Sequence, residues 1–287
     1  MYRIAILGCE NSHAAGFLTA IRDEKIDDIE VCGVYSYDPE ASRKLYEQFG
    51  VPIMDSYDEL VGKLDGLIVT ARHGDNHYKY AKPYLADGIP MFIDKPITIS
   101  EKEAKEFKAE LIEHQIPLCG GSMCVYADHV LRLQEEVGKG EYGRVIGGSV
   151  RAPLHSTSEH GGFFFYAQHL VQVMCSVFGY FPDSVQMFRN GNHITSVTRY
   201  ADYDITGLYV DGDPNGVYTA GVMFEKALID QAYTLENCSS REFHTFYELL
   251  KGGEQKQSYD EIFAPVYIMN AMKRSLESGR EEKVNRG

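Results

Sequence analysis

The stretch Met91-Phe92-Ile93-Asp94-Lys95-Pro96-Ile97-Thr98 decides how this chain is read. Its three leading apolar residues predict a buried strand, and the acid, lysine and proline that end it are residues a strand interior does not need. In an open α/β sheet the carboxyl ends of the strands face the ligand. Lys95 is therefore expected at a ligand-facing edge, on a backbone that Pro96 restricts.

Outward from that strand the pattern repeats. Residues 3–7 are an apolar run closed by Gly8 and followed by helical spacing through Phe17, Leu18 and Ile21. A second strand is predicted over 29–35, and Asp38-Pro39-Glu40 opens a helix with the acid and proline suited to a first turn, Asp38 being its cap. A brief strand at Ile53, a short helix over 57–64, a strand over 66–70 and a helix over 77–86 lead back to the opening stretch. A helix over 101–114 and a strand over 116–120 follow. Strands alternating with helices at this spacing predict parallel βαβ units, closing a first domain at residue 120.

After residue 120 the texture changes. A helix over 128–137 precedes segments that alternate rather than run, at 145–152, 184–189, 195–200, 205–210, 217–224 and 226–235, with glycine-rich turns between them. These predict an antiparallel sheet, covered by helices over 163–178 and 259–278. The second domain, 121–287, is expected to be α+β, with the ligand site in the cleft between the domains.

Composition narrows the function. The chain has 287 residues, 44% hydrophobic and 24% charged, with a formal charge of −14, which argues against a nucleic-acid surface. Six scattered cysteines without a C-x-x-C pair fit reduced thiols in a cytoplasmic protein. Neither a signal-like start nor a bilayer-length apolar run is present, so no membrane partner is expected.

Three loops are expected to converge on one crevice. After the first strand comes Gly8-Cys9-Glu10-Asn11-Ser12-His13, where a dinucleotide loop wants glycine at places one, three and six. Only the first is present, but a helix N-terminus capped by Ser12 still offers an anion site. At the end of the second strand stands Ser36, where an acid would bind the ribose of NAD. Serine leaves room for a 2′-phosphate, with Arg43 or Lys44 as distant counter-charges, so NAD and NADP both stay open. The third loop carries Thr70, Arg72, His73 and His77.

Residues 69–100, VTARHGDNHYKYAKPYLADGIPMFIDKPITIS, resemble the signature of the glucose-fructose oxidoreductase and inositol dehydrogenase (Gfo/Idh/MocA) family: a threonine-to-histidine helix start, a glycine-closed turn and a strand ending Glu-Lys-Pro, here Asp94-Lys95-Pro96. The resemblance runs from Arg3 to about Gly120 and resumes at 142–150, at Gly161-Gly162 and at 275–284. It implies a Rossmann-type doubly wound domain followed by an α+β domain with a mostly antiparallel open sheet, through which the chain would form a homodimer or homotetramer. It also implies hydride transfer between NAD(P) and a sugar, cyclitol or related alcohol, the motif lysine, Lys95, contacting the substrate hydroxyl. The candidate cofactor residues are then Gly8, Glu10, Asn11, Ser12, Ser36, Thr70, Arg72, His73, His77, Asp94, Lys95 and Pro96.

The family's second catalytic element is a helix in which an aspartate precedes the acid/base histidine by four residues. His169 matches the histidine, and Phe165 stands at the aspartate position. A near-neutral histidine can still exchange the alcohol proton. Tyr166, Tyr126 and His160 are candidate substrate residues. His155, His160 and His169 lack metal-ligand spacing, so no metal is expected, and no G-x-S-x-G elbow supports a hydrolase. The competing expectation is a non-catalytic relative that binds a small ligand or partner in the interdomain cleft, since Glu10, His13, Ser36 and Phe165 all depart from the family pattern.

Overall fold

The computed structural model describes residues 1–287. The first five strands are β1 (Tyr2–Leu7), β2 (Ile29–Tyr35), β3 (Gly66–Val69), β4 (Met91–Asp94) and β5 (Leu118–Gly121), pairing in parallel in the order β2-β1-β3-β4-β5. Between them run α1 (Ser12–Asp23), α2 (Pro39–Phe49), α3 (Asp75–Ala81) and α4 (Glu101–Glu113). The order reverses direction between β1 and β3, the place where such sheets open a crevice at their carboxyl edge.

Local chemistry explains where this part departs from expectation. Asn11, not Ser12, caps α1, its side chain accepting from the His13 N–H. Residues 57–64 form turns rather than a helix, because Gly62 sits at a φ of 73° and its N–H is held by Asp87. Ile53 makes only an isolated bridge to Val34. The helix over 77–86 stops at Ala81 and continues to Asp87 as a tighter turn containing Pro83, whose missing N–H cannot extend the α-helical ladder.

Next come α5 (Asp128–Lys139), β6 (Val145–Leu154), α6 (Phe163–Phe178), β7 (Ser184–Asn190), β8 (His193–Arg199), β9 (Asp204–Asp211), β10 (Tyr218–Phe224) and β11 (Leu228–Tyr233). Helix α7 (Cys238–Leu250) follows, then α8 (Tyr259–Ser278) and a two-residue β12 (Glu282–Lys283). The second sheet runs β11-β10-β6-β9-β8-β7-β12. It is mixed rather than wholly antiparallel, since β6 and β9 pair in parallel. Leu170, Val171, Met174, Met269 and Met272 pack with Val150, Tyr209 and Val222 in its core.

The chain forms two compact units, Met1–Gly121 with Ser239–Ile262, and Ser122–Cys238 with Phe263–Gly287. A single boundary at residue 120 therefore misses the return of 239–262 to the first unit. Helix α7 brings Phe243, Phe246, Leu249 and Leu250 into the core of β1, β3 and α1. Phe17 packs edge-on against Phe92 at 5.0 Å and lies 5.8 Å from Phe243. A side chain at Gly66 would collide with Leu250 and Phe246, so this strand needs a glycine where the helix lies against it. No helix is long and apolar enough to cross a membrane.

Candidate active site

The carboxyl edge of the first sheet is built from short polar links. Gly8 takes a φ of 78°, and a Cβ there would come within 2.4 Å of Ala71, so only glycine lets the β1 turn close onto the end of β3. Asn11 then ties three strand ends together. Its amide donates to the Thr70 carbonyl at 2.5 Å and to Asp94 Oδ2 at 3.2 Å, while its own oxygen caps α1. Glu10 reaches the other way, accepting from Ser36 Oγ at 2.9 Å and from the Arg72 N–H at 3.0 Å. The turn after β1 thus touches the ends of β2, β3 and β4.

Several of the predicted residues turn inward. His77 is fully buried, its ring engaged by the Pro96 carbonyl at 2.6 Å and the Ala71 carbonyl at 2.8 Å. It clips the loop after β3 to the loop after β4, and its burial lowers its pKa. Thr70 is buried and donates to the Gly8 carbonyl. Asp94 is buried too, one oxygen accepting the Lys95 N–H at 2.7 Å. These three residues and the buried Pro96 brace the edge from within. Arg72, Ser12 and part of His73 remain exposed.

Lys95 is 7% exposed at the end of β4, and the peptide joining it to Pro96 is cis. Behind it lies a polar cluster that sequence reasoning missed. His13 Nδ1 stands 2.9 Å from Asp94 Oδ2 and 4.0 Å from Glu242 Oε2, an electrostatic approach in which the ring nitrogen is not aligned for a hydrogen bond. Glu242 comes from α7, is 1% exposed, and neither of its carboxyl oxygens has a hydrogen-bond partner. Burial, reinforced by the charge of Asp94, pushes the Glu242 carboxyl well above its ordinary pKa. Burial pushes Asp94 upward as well, but His13, with Lys95 and His77 behind it, outweighs this and holds it at about 2. The two acids are thus pushed in opposite directions, Asp94 down and Glu242 up.

The second unit holds a smaller constellation. His169 on α6 is 5% exposed, and its Nδ1 pairs with Ser122 Oγ at 2.7 Å, with Cys124 Sγ at 3.4 Å. Ser122 thus orients the ring, a task the sequence leaves empty once Phe165 replaces the aspartate. Tyr166 lies edge-on to His169 at 5.0 Å between ring centres. His160 packs on Phe165 at 5.2 Å instead, and Tyr126 is half-buried at the end of the turn before α5. No group of three or more His, Cys, Asp or Glu side chains is poised to hold a metal.

Residues 2–120 match the family model GFO_IDH_MocA, described as an oxidoreductase family with an NAD-binding Rossmann fold. Over these residues, less than half of its length, the chain is similar to that family. The whole chain shares its fold with several solved dehydrogenases. GenD2 of gentamicin A biosynthesis, solved with NAD, superposes with a TM-score of 0.86 at 16% identity, covering 99% of this chain and 96% of that one. Myo-inositol 2-dehydrogenase from Lactobacillus plantarum gives 0.85 at 14% identity, covering 99% of both chains. An uncharacterized oxidoreductase of Streptococcus pneumoniae serotype 4 is 22% identical over 180 residues, 58% of this chain and 49% of that protein, so the match spans about half of that relative's length.

The first unit's residues fit a nicotinamide dinucleotide. The Gly8 turn closes on β3 as a dinucleotide turn must, and Asn11 fixes the N-terminus of a 12-residue helix whose amides suit a pyrophosphate. At the end of β2 the Glu10 carboxyl, held by Ser36 Oγ, offers a hydrogen-bond acceptor.

Proposed function

We propose that the protein is an NAD(P)-dependent oxidoreductase acting on a sugar, cyclitol or related alcohol. The observation that carries this reading is Lys95, a nearly buried lysine presented at the carboxyl end of β4 on a backbone anchored by a charged Asp94. The family match and relatives that include an inositol dehydrogenase support the same substrate class.

The nicotinamide, when bound, supplies the hydride acceptor or donor. The ammonium of Lys95 would bind the reacting oxygen and stabilise alkoxide charge as it develops, an effect that grows where water is excluded. His169, oriented through Nδ1 by Ser122, would exchange the hydroxyl proton through Nε2. Tyr166 beside it, with Tyr126, would contact the substrate, while Gly8, Glu10, Asn11 and Ser36 would hold the cofactor. The second sheet carries the adjacent Met223 and Leu228 exposed at one edge and Phe188 toward the other, and this sheet would serve self-association as a homodimer or homotetramer.

The test is a panel of cyclitols, aldoses and sugar acids offered with NAD or NADP, following the absorbance of reduced nicotinamide. Turnover that disappears in both Lys95→Ala and His169→Ala is expected. Failure to bind either reduced cofactor at about millimolar concentration, the upper end of the usual KM range, would overturn the reading and leave a ligand-binding relative.

A further inference from the structure

We infer that Glu10 selects NAD over NADP, acting as the acid that the end of β2 lacks. The inference rests on the first unit's being a working dinucleotide site and goes on to assign the choice of cofactor. In folds of this kind an acid at the end of the second strand accepts from the ribose hydroxyls of NAD, and the same acid rejects a 2′-phosphate. Here that strand ends in Ser36, which by itself admits either cofactor.

The structure returns an acid to the place from a different loop. Glu10 stands where the dinucleotide fingerprint has its second glycine, and its carboxyl group is held at two points. Ser36 Oγ donates to Oε2 at 2.9 Å and the Arg72 N–H donates to Oε1 at 3.0 Å. The side chain is therefore fixed across the ends of β2 and β3 rather than waving in solvent. Asp38 adds a second acid beside Ser36, its N–H donating to Ser36 Oγ at 3.1 Å. The buried Cys9 thiol senses both: burial chiefly raises its pKa to about 11, and the charges of Glu10 and Asp38 add to the rise.

The two cations of α2 that could have balanced a 2′-phosphate are paired along their own helix. Arg43 binds Glu40 at 2.7 Å and lies 3.4 Å from Glu47, and Lys44 lies 4.0 Å from Glu40, all on the exposed face of α2. A 2′-phosphate brought to Ser36 would face Glu10 at short range in a partly buried site, where like charges are weakly screened. Ribose hydroxyls would find in Glu10 the acceptor they need.

The experiment titrates the full-length chain with NADH and with NADPH at low and high salt, reading nicotinamide fluorescence and, independently, heat of binding. Wild type is expected to bind NADH at least about tenfold more tightly than NADPH, with a ratio that narrows as salt rises. Glu10→Gln should improve NADPH binding about tenfold and abolish most of the salt dependence of the ratio. Glu10→Gly, which restores the fingerprint glycine, should narrow the ratio in the same direction and serves if Glu10→Gln misfolds by circular dichroism. Equal wild-type affinities, or a ratio unchanged in both variants, would overturn the inference while leaving the cofactor site intact. Binding that is absent in wild type but gained in Glu10→Gly would also overturn it, making Glu10 an obstruction. Binding absent in every folded variant would overturn the cofactor reading, and this inference with it.

Discussion

The first unit sets a half-buried histidine beside two acids; the second buries a histidine against a hydroxyl and a thiol. In the first, His13, Asp94, Glu242 and Lys95 bring more acid than the neighbouring groups can satisfy, and the Glu242 oxygens have no hydrogen-bond partner. The cost falls on Glu242, whose carboxyl is pushed up by burial and by the Asp94 charge, while His13 and Lys95 hold Asp94 low. In the second, Ser122 satisfies His169 without any formal charge. An electrostatic cluster suits a group that must hold a cation in place. A neutral hydroxyl partner suits one that must gain and lose a proton.

Four changes probe that contrast, from the largest expected effect to the smallest. Lys95→Ala should cost about a thousandfold in kcat, as removal of a preorganised electrostatic donor does, while circular dichroism shows the fold retained. A loss confined to KM would place the lysine in ground-state binding instead.

Glu242→Gln addresses stability. The folded chain keeps the Glu242 proton, and the unfolded chain releases it above about pH 4.3. The contribution of Glu242 therefore falls as pH rises from there, by about 1.4 kcal/mol per unit until the folded pKa is reached. Asp94, held low, acts oppositely: its stabilisation is present above about pH 3.9 and fades as pH falls toward its folded value. Melting temperatures from pH 5 to pH 8 should thus drop less for Glu242→Gln than for wild type, and parallel curves would refute a buried neutral acid.

Ser122→Ala should lower kcat about tenfold, a fraction of the full acid/base contribution, and shift the pH-rate profile while leaving KM nearly unchanged. An unchanged profile would mean that the hydroxyl does not orient His169. Cys124→Ala, removing only the weaker sulfur contact, should change kcat by no more than about threefold, in line with a weak neutral hydrogen bond. A larger effect than Ser122→Ala would reverse the assignment of the partner.

Much of this was legible along the chain. Strands β1, β3 and β4 are continuous apolar runs because both faces of a parallel sheet are covered, and α6 and α8 announce themselves by long apolar spacing. Helix α7 carries a comparable signal in Phe243, Phe246, Leu249 and Leu250, with Glu242 as a discordant acid on the same stripe. Reading that stripe would have found both the helix and an unusual buried carboxyl. Nothing local, however, reveals that His77 faces the Pro96 carbonyl 19 positions on or that Ser122 meets His169 47 positions on, because those partners come together only in the folded chain.

By itself the sequence determined the Rossmann-type order of strands and helices, the lysine at the end of β4 and the histidine on α6, since periodicity and turn residues act locally. Only the tertiary structure decided what those residues mean. It returned α7 to the first unit, set Glu242 behind Asp94, and carried Glu10 across to Ser36, because burial and charge depend on which distant side chains share one small volume. Asp94-Lys95-Pro96 marks the edge in the sequence, and the Asp94 carboxyl is held low chiefly by His13, which α1 brings to it from an earlier part of the chain.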